Sequence, residues 1–142
     1  MPTAIAQGRR RPPFFHPVPL RARKDGWTPA RQCAFLGHLY LTGSVSAAAR
    51  AVGMSRMSAY RLRRCQGAES FARAWDAVLM PPGTGRLPPI DGDTRKVTDA
   101  DLFRRLEAGL IAPAIHRGCM TGIRRKADNS ALLRLLRRLG PA

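Results

Sequence analysis

The sequence predicts a mainly α-helical protein: a helix-turn-helix helical bundle, followed by a short helix–β-hairpin–helix accessory region. Three observations carry this reading. Between Trp27 and Met80, apolar residues recur at the three-to-four-residue spacing of amphipathic helices. Glycines and hydroxyl residues punctuate that stretch at short intervals, as helix stops and starts. Beyond a Pro- and Gly-rich gap at 81–97, two further helical patterns flank a turn-like Arg117-Gly118.

Taken in order, residues 1–26 hold Pro2, Pro12, Pro13, Pro17 and Pro19 among many basic residues. They lack apolar periodicity, so a disordered basic arm is expected there. Gly8-Arg9-Arg10-Arg11-Pro12 has the composition of a minor-groove arm; a solvated tail making nonspecific phosphate contacts is the plainer alternative. A DNA-binding domain is expected over 27–80. Its first helix opens at Thr28-Pro29, where the hydroxyl caps and proline gives up an N–H that would lack a partner anyway. Phe35, Leu36, Leu39 and Tyr40 follow at helical spacing, and Gly43 stops the helix. Ser44 caps the second helix, in which Val45, Ala48, Ala49 and Val52 share a face, and Gly53 ends it. A third begins at Ser55 and runs to about Arg64. A fourth covers roughly Ala68 to Met80, with Phe71, Trp75 and Val78 on one stripe.

Residues 81–97 have linker composition. Thr98-Asp99-Ala100-Asp101 then reads as a capping-box variant opening a helix. Leu102, Phe103, Leu106 and Leu110 give that helix an apolar face, and Pro113 is expected to end it. A β-hairpin is expected over Ala114 to Lys126, turning at Arg117-Gly118. Asp128-Asn129-Ser130 caps a last helix, with Leu132, Leu135, Leu136 and Leu139 on one side and Arg134, Arg137 and Arg138 on the other. One hairpin with two short helices makes a marginal core alone. The apolar faces of 98–142 are therefore expected to pack either on 27–80 or on another copy, which makes this region the candidate for homo-oligomerisation.

Charge sets the class of partner. The 142 residues carry 25 Lys+Arg against 9 Asp+Glu, a formal net charge of +16. Only Lys24, Lys96 and Lys126 are lysines. Arginine's planar fork matches phosphate oxygens and the guanine O6/N7 edge. A GC-rich genome also favours arginine codons, but it does not account for the shortage of acids. A chain this basic repels itself, so a polyanionic partner, double-stranded DNA, is expected.

The residues for reading DNA lie within SVSAAARAVGMSRMSAYRLRR, Ser44 to Arg64. Two short helices joined by a tight glycine-containing turn is the helix-turn-helix plan. Ala49 is small where the helices cross, and Gly53 turns the chain in a conformation that residues with a Cβ dislike. Val52 and Met54 flank the turn, while Ala59 and Leu62 anchor the third helix. At about 100° per residue, Arg56, Met57, Tyr60, Arg63 and Arg64 fall within an arc of roughly 120° opposite Leu62, with Arg61 beside it. The major groove, about 12 Å wide, admits one such helix. Ser55 caps the helix N-terminus, where free N–H groups favour a phosphate. Arg56, Met57 and Tyr60 are assigned to base edges; Arg61, Arg63 and Arg64, later in the helix, are assigned to phosphates.

The stretch WTPARQCAFLGHLYLTGSVSAAARAVGMSRMSAYRLRR, followed by SFARAWDAVL, resembles bacterial and phage helix-turn-helix proteins of the small-terminase type, whose DNA-recognition subunits select viral genomes for packaging. The tail RGCMTGIRRKADNSALLRLLRR is similar to the segment that follows in some of them, where a short hairpin leads to a helix beginning near an Asp-Asn pair. The resemblance implies recognition residues at Arg56, Met57, Tyr60 and Arg61 and ring-like self-assembly through later segments. The long acidic or coiled segments that often mediate assembly and docking in such proteins are not evident.

The leading expectation is sequence-specific, non-enzymatic binding of double-stranded DNA by a transcriptional regulator. A packaging subunit of the small-terminase type and a nonspecific nucleoid-like basic protein are the alternatives; RNA binding ranks below them, because the stacking sheet it needs is missing. No Walker-type loop, GxSxG or HExxH occurs, so neither an enzyme nor a cofactor is expected. Cys33, Cys65 and Cys119, like His16, His38 and His116, are too scattered for a zinc site, and no disulfide framework is expected. Asp91, Asp93, Asp99 and Asp101 read as linker solvation and helix capping rather than metal ligands. No apolar stretch is long enough for a membrane span. A reducing, bacterial-type cytoplasm is expected, with the protein nucleoid-associated or phage-derived.

Overall fold

Local signals place most helix ends. The computed structural model describes residues 11–20, 26–80 and 98–140. These form six helices and one antiparallel hairpin: α1 (Pro29–Thr42), α2 (Val45–Ala51), α3 (Arg56–Arg63), α4 (Glu69–Leu79), α5 (Asp99–Ala108), β1 (Leu110–His116), β2 (Cys119–Lys126) and α6 (Asn129–Leu139). The hydroxyls of Thr28, Ser44 and Ser55 each accept a hydrogen bond from a first-turn amide, of Arg31, Ala47 and Ser58. Thr98 and Asp101 form a reciprocal capping box on α5, and Asp128 caps α6. Gly43 closes α1 in the left-handed region at φ 71°, and Gly53 turns α2 toward α3 at φ 76°.

α1 is the hub and touches α2, α4 and both strands. Phe35, Leu36 and Leu39 are fully buried on it, together with Ala48 and Ala49 of α2, Ala59 and Leu62 of α3, and Phe71, Trp75 and Val78 of α4. The hairpin closes the other side of α1. A Cβ on Gly37 would stand 2.9 Å from Met120 Sδ and 3.1 Å from Pro113 Cβ, so a mid-helix glycine lets the strands approach. The hairpin is thus part of the core of 27–80. α5 and α6 make a second, smaller cluster from Leu102, Leu106, Ala131 and Leu135.

Two expectations are corrected. The first is the disordered arm, where it covers 11–20. Phe15 and Val18 are buried in the main core. Phe15 exchanges backbone hydrogen bonds with Ile111 (2.9 and 3.0 Å), adding one residue of strand to β1. Buried Gln32 of α1 accepts from Val18 N (2.7 Å) and donates to the carbonyls of Val18 and Trp27. His16 Nε2 hydrogen-bonds the Asp128 carboxylate, and its amide donates to Ser70 Oγ at 2.8 Å. Residues 11–20 therefore strap the bundle, the hairpin and α6 together. The rest of the expected arm, 1–10 and 21–25, and the expected linker, 81–97, lie outside the described residues.

The second correction concerns 109–113. The helix ends at Ala108, before Pro113, because Gly109 takes φ 67° and ψ −163°, a conformation that breaks the helix. β1 then starts at Leu110, four residues before the expected Ala114. Pro113 lies inside β1, its missing N–H on the same side as Ile111, where pairing with the strap ends after one residue. The turn falls where expected: Arg117 and Gly118 both have positive φ (51° and 78°), the signature of a two-residue type I′ hairpin.

Candidate nucleic-acid interface

The pose of α3 is fixed from three sides. Ala59 and Leu62 sink into the core. Trp27 Nε1 donates to Ser58 Oγ at 2.7 Å, tying the start of α3 to the residue before the α1 cap. From the third side, the Tyr60 ring packs on Trp75 of α4, with centroids 5.2 Å apart. Beside it, the Arg63 guanidinium lies 4.8 Å from the Trp75 ring centroid and grips both carboxylate oxygens of Asp76 (3.1 and 3.2 Å).

This packing rotates the solvent-facing arc relative to the one the helical wheel gives. Arg56, Met57, Arg61 and Arg64 are exposed, Met57 by 59%. Tyr60 and Arg63, expected on the open face, are half-buried because α4 covers that flank. On the wheel the open centre moves from Tyr60 toward Met57 and Arg64, by roughly 40°. Ser55 stands where expected, its hydroxyl engaged by the amide of Ser58 at 3.1 Å. Arg56, Met57, Arg61 and Arg64 therefore share one surface, while Arg63 is a fold contact.

Sequence reasoning missed several basic groups. Arg50 is exposed in the last turn of α2, next to the turn leading to α3. Arg124 and Lys126 of β2 sit over the Phe14 ring at 5.1 and 4.6 Å. A groove lined by Arg104, Arg105, Lys126, Arg134 and Arg137, with Glu69, Asp101 and Asp128 among them, runs between the strap and the α5–α6 pair. The run Arg124-Arg125-Lys126 gives no periodic signal, because three consecutive basic residues place charge on both faces of a strand.

The acidic residues considered for metal binding serve the fold where described. Asp101 completes the α5 cap and pairs with Arg104 at 3.0 Å, and Asp99 pairs with Arg138 at 2.8 Å; Asp91 and Asp93 lie outside the described residues. Among the described residues no cluster of His, Cys, Asp and Glu is arranged to hold a metal ion. Burial pushes the Cys33 thiol up to about 12, which leaves it a packing residue. Among the described residues no helix is long and apolar enough to cross a membrane. No family model, curated protein or solved structure matches the chain.

Proposed function

We propose that the chain binds double-stranded DNA, with α2, the Gly53 turn and α3 acting as a helix-turn-helix. The observation that carries this is the exposed face of α3: Arg56, Met57, Arg61 and Arg64 stand together on a helix whose opposite side is locked into the core. A rigid helix with Arg56 at its N-terminal end and an exposed apolar side chain beside it suits a major groove. Arginine takes guanine O6 and N7, and Met57 meets a thymine methyl. Arg61 and Arg64 take phosphates, joined by Arg50 from α2. The net charge of +16 supplies the nonspecific part of the affinity.

Within that class, the reading is a sequence-specific transcriptional regulator. Binding-site selection from random duplexes, repeated across a salt series, tests it. A defined motif is expected, and Arg56→Ala relaxes base preference at one position, costing about 1–3 kcal/mol there. A flat sequence profile with a steep salt slope refutes the specific reader in favour of a nucleoid-like protein. A second reading, a packaging subunit of the small-terminase kind, draws on α6. Leu133, Leu136 and Leu139 are 56%, 56% and 63% exposed there, which an assembling protein would cover against another copy. Light scattering separates the two, since a monomer is incompatible with a ring.

A further inference from the structure

A cavity of about 510 Å³, with no residue of α3 in its lining, lies where the strap, the start of α1, the N-terminus of α4, the end of α5 and the hairpin meet. Its apolar wall includes Val18, Trp27 and Ile111, and its polar wall includes Ser70, Arg105 and Arg125. Small-molecule sites have this size and this makeup, an apolar lining with a few convergent polar groups. The sequence hid it because its walls come from five elements spread over the whole chain.

Charge decides what the cavity takes. Arg104, Arg105 and Arg125 line it, and Glu69 is the one carboxylate among its described lining residues. Arg104 is already held by Asp101. Arg105 is half-buried; Asp101 and Asp128 act on it at a distance, but among the described residues no hydrogen bond or ion pair closes on its guanidinium. A guanidinium withdrawn from water and left unpaired favours an anion with forked oxygens. Its field is felt next door: burial chiefly lowers the His16 pKa, and Arg105 and Arg104 add to that against the raising effect of Asp128. α4 opens onto the same space with Ala68 at its N-cap and no side-chain cap, and Glu69 in its first turn answers the positive end of its dipole, which leaves the arginines to hold the anion.

We propose that this cavity binds a small organic anion. A carboxylate or phosphate head sits on Arg105 and Arg125, and a flat apolar body lies against Trp27 and Ile111. A duplex is about 20 Å across and does not enter a space of this size, so the occupant is a small molecule rather than the DNA backbone.

Isothermal titration calorimetry on the full chain tests this without DNA, so the result is independent of the DNA-binding reading. The probes are phenyl phosphate and benzoate, with benzyl alcohol as the neutral counterpart. Saturable binding of at least one anion is expected, about tenfold or more tighter than benzyl alcohol. Which of the two anions binds tighter assigns the head group. Arg105→Gln is expected to weaken that binding about tenfold or more, while Arg64→Gln, outside the lining, leaves it intact. Ala108→Trp, at an exposed residue of the cavity rim, is expected to block it while circular dichroism shows the helices retained. The proposal is overturned if neither anion binds the wild-type chain, if Arg105→Gln binds as well as wild type, or if benzyl alcohol binds equally. It is also overturned if duplex DNA displaces phenyl phosphate stoichiometrically, which would make Arg105 a backbone-phosphate contact.

Discussion

Replacing Phe15 by alanine distinguishes a structural strap from a loose arm. The ring is fully buried, packs edge-on to Phe71 with centroids 5.8 Å apart, and sits where the strap pairs with Ile111. Truncating a buried phenylalanine costs about 3–5 kcal/mol through lost transfer energy and the cavity left behind. The edge-on pair accounts for about 0.5–1.5 kcal/mol of that. The strap has a second way to respond: it can peel away, exposing Val18 and stranding the buried amide of Gln32. Peeling caps the cost at the docking energy of the segment, so the lower half of the range, about 3–4 kcal/mol, is expected. Urea unfolding followed by circular dichroism reads it as a midpoint lowered by roughly 2 M, for an m-value near 1.5–2 kcal/mol/M. Leu20→Ala, at a residue 44% exposed, serves as the control and is expected to stay within about 0.5 kcal/mol. If Phe15→Ala also stays within about 0.5 kcal/mol, residues 11–20 contribute nothing to the core and the strap is refuted.

Three further outcomes follow from the same contacts. Arg63→Ala is expected to cost about 1 kcal/mol of stability, with a coupling of about 0.5–1 kcal/mol to Asp76→Ala in a double-mutant cycle, since the pair is partly exposed and its larger anchor is the Trp75 ring. Arg64→Ala is expected to show the converse: unchanged urea midpoints, and a DNA salt slope reduced by about one. Stability is also expected to fall on acidification. Burial, seconded by Arg105 and Arg104, holds the His16 pKa below its ordinary 6.5 in spite of Asp128, so the unfolded chain binds the extra proton first. That contribution is full above pH 6.5 and is lost as the pH falls through the lower folded value. For Asp128, burial works upward but is outweighed by hydrogen bonds from His16 and the Ala131 amide, so its contribution is lost only below its ordinary 3.8. Urea midpoints measured between pH 7.5 and 5 check the first step, and His16→Asn is expected to flatten it.

What could be read in the sequence was local. Thr28, Ser44, Ser55, the Thr98/Asp101 box and Asp128 are caps because a short polar side chain reaches an amide two or three residues on. Ala49, Ala59 and Leu62 are buried because helical periodicity already groups them. The strap was not legible, because its partners are remote: His16 and Asp128 are 112 residues apart. Prolines on either side of Phe15 and Val18 also mask any strand or helix period. The start of β1 is obscured for a related reason. Leu110 and Ile111 extend the apolar pattern of α5, and the backbone angles of Gly109, which end that helix, leave no trace in periodicity.

The α3 face sharpens the same point at the candidate site. A helical wheel treats every residue opposite Leu62 as equally open, yet α4 sorts those residues into two sets. Trp75 packs at a tilt against Tyr60 and takes Arg63 over its ring, and Asp76 supplies the carboxylate that holds Arg63 in place. Both partners lie on the helix that follows; the stripe that carries Trp75, with Phe71 and Val78, is visible in the sequence, but its target is not. Arg63 is thereby committed to orienting α3 against α4, while Arg56, Met57, Arg61 and Arg64 stay outside that contact. The exposed residues would each lose reach in the groove if α3 rotated by even one position, about 100°. An arginine that looks like a phosphate ligand in sequence is, in the fold, part of what aims the others.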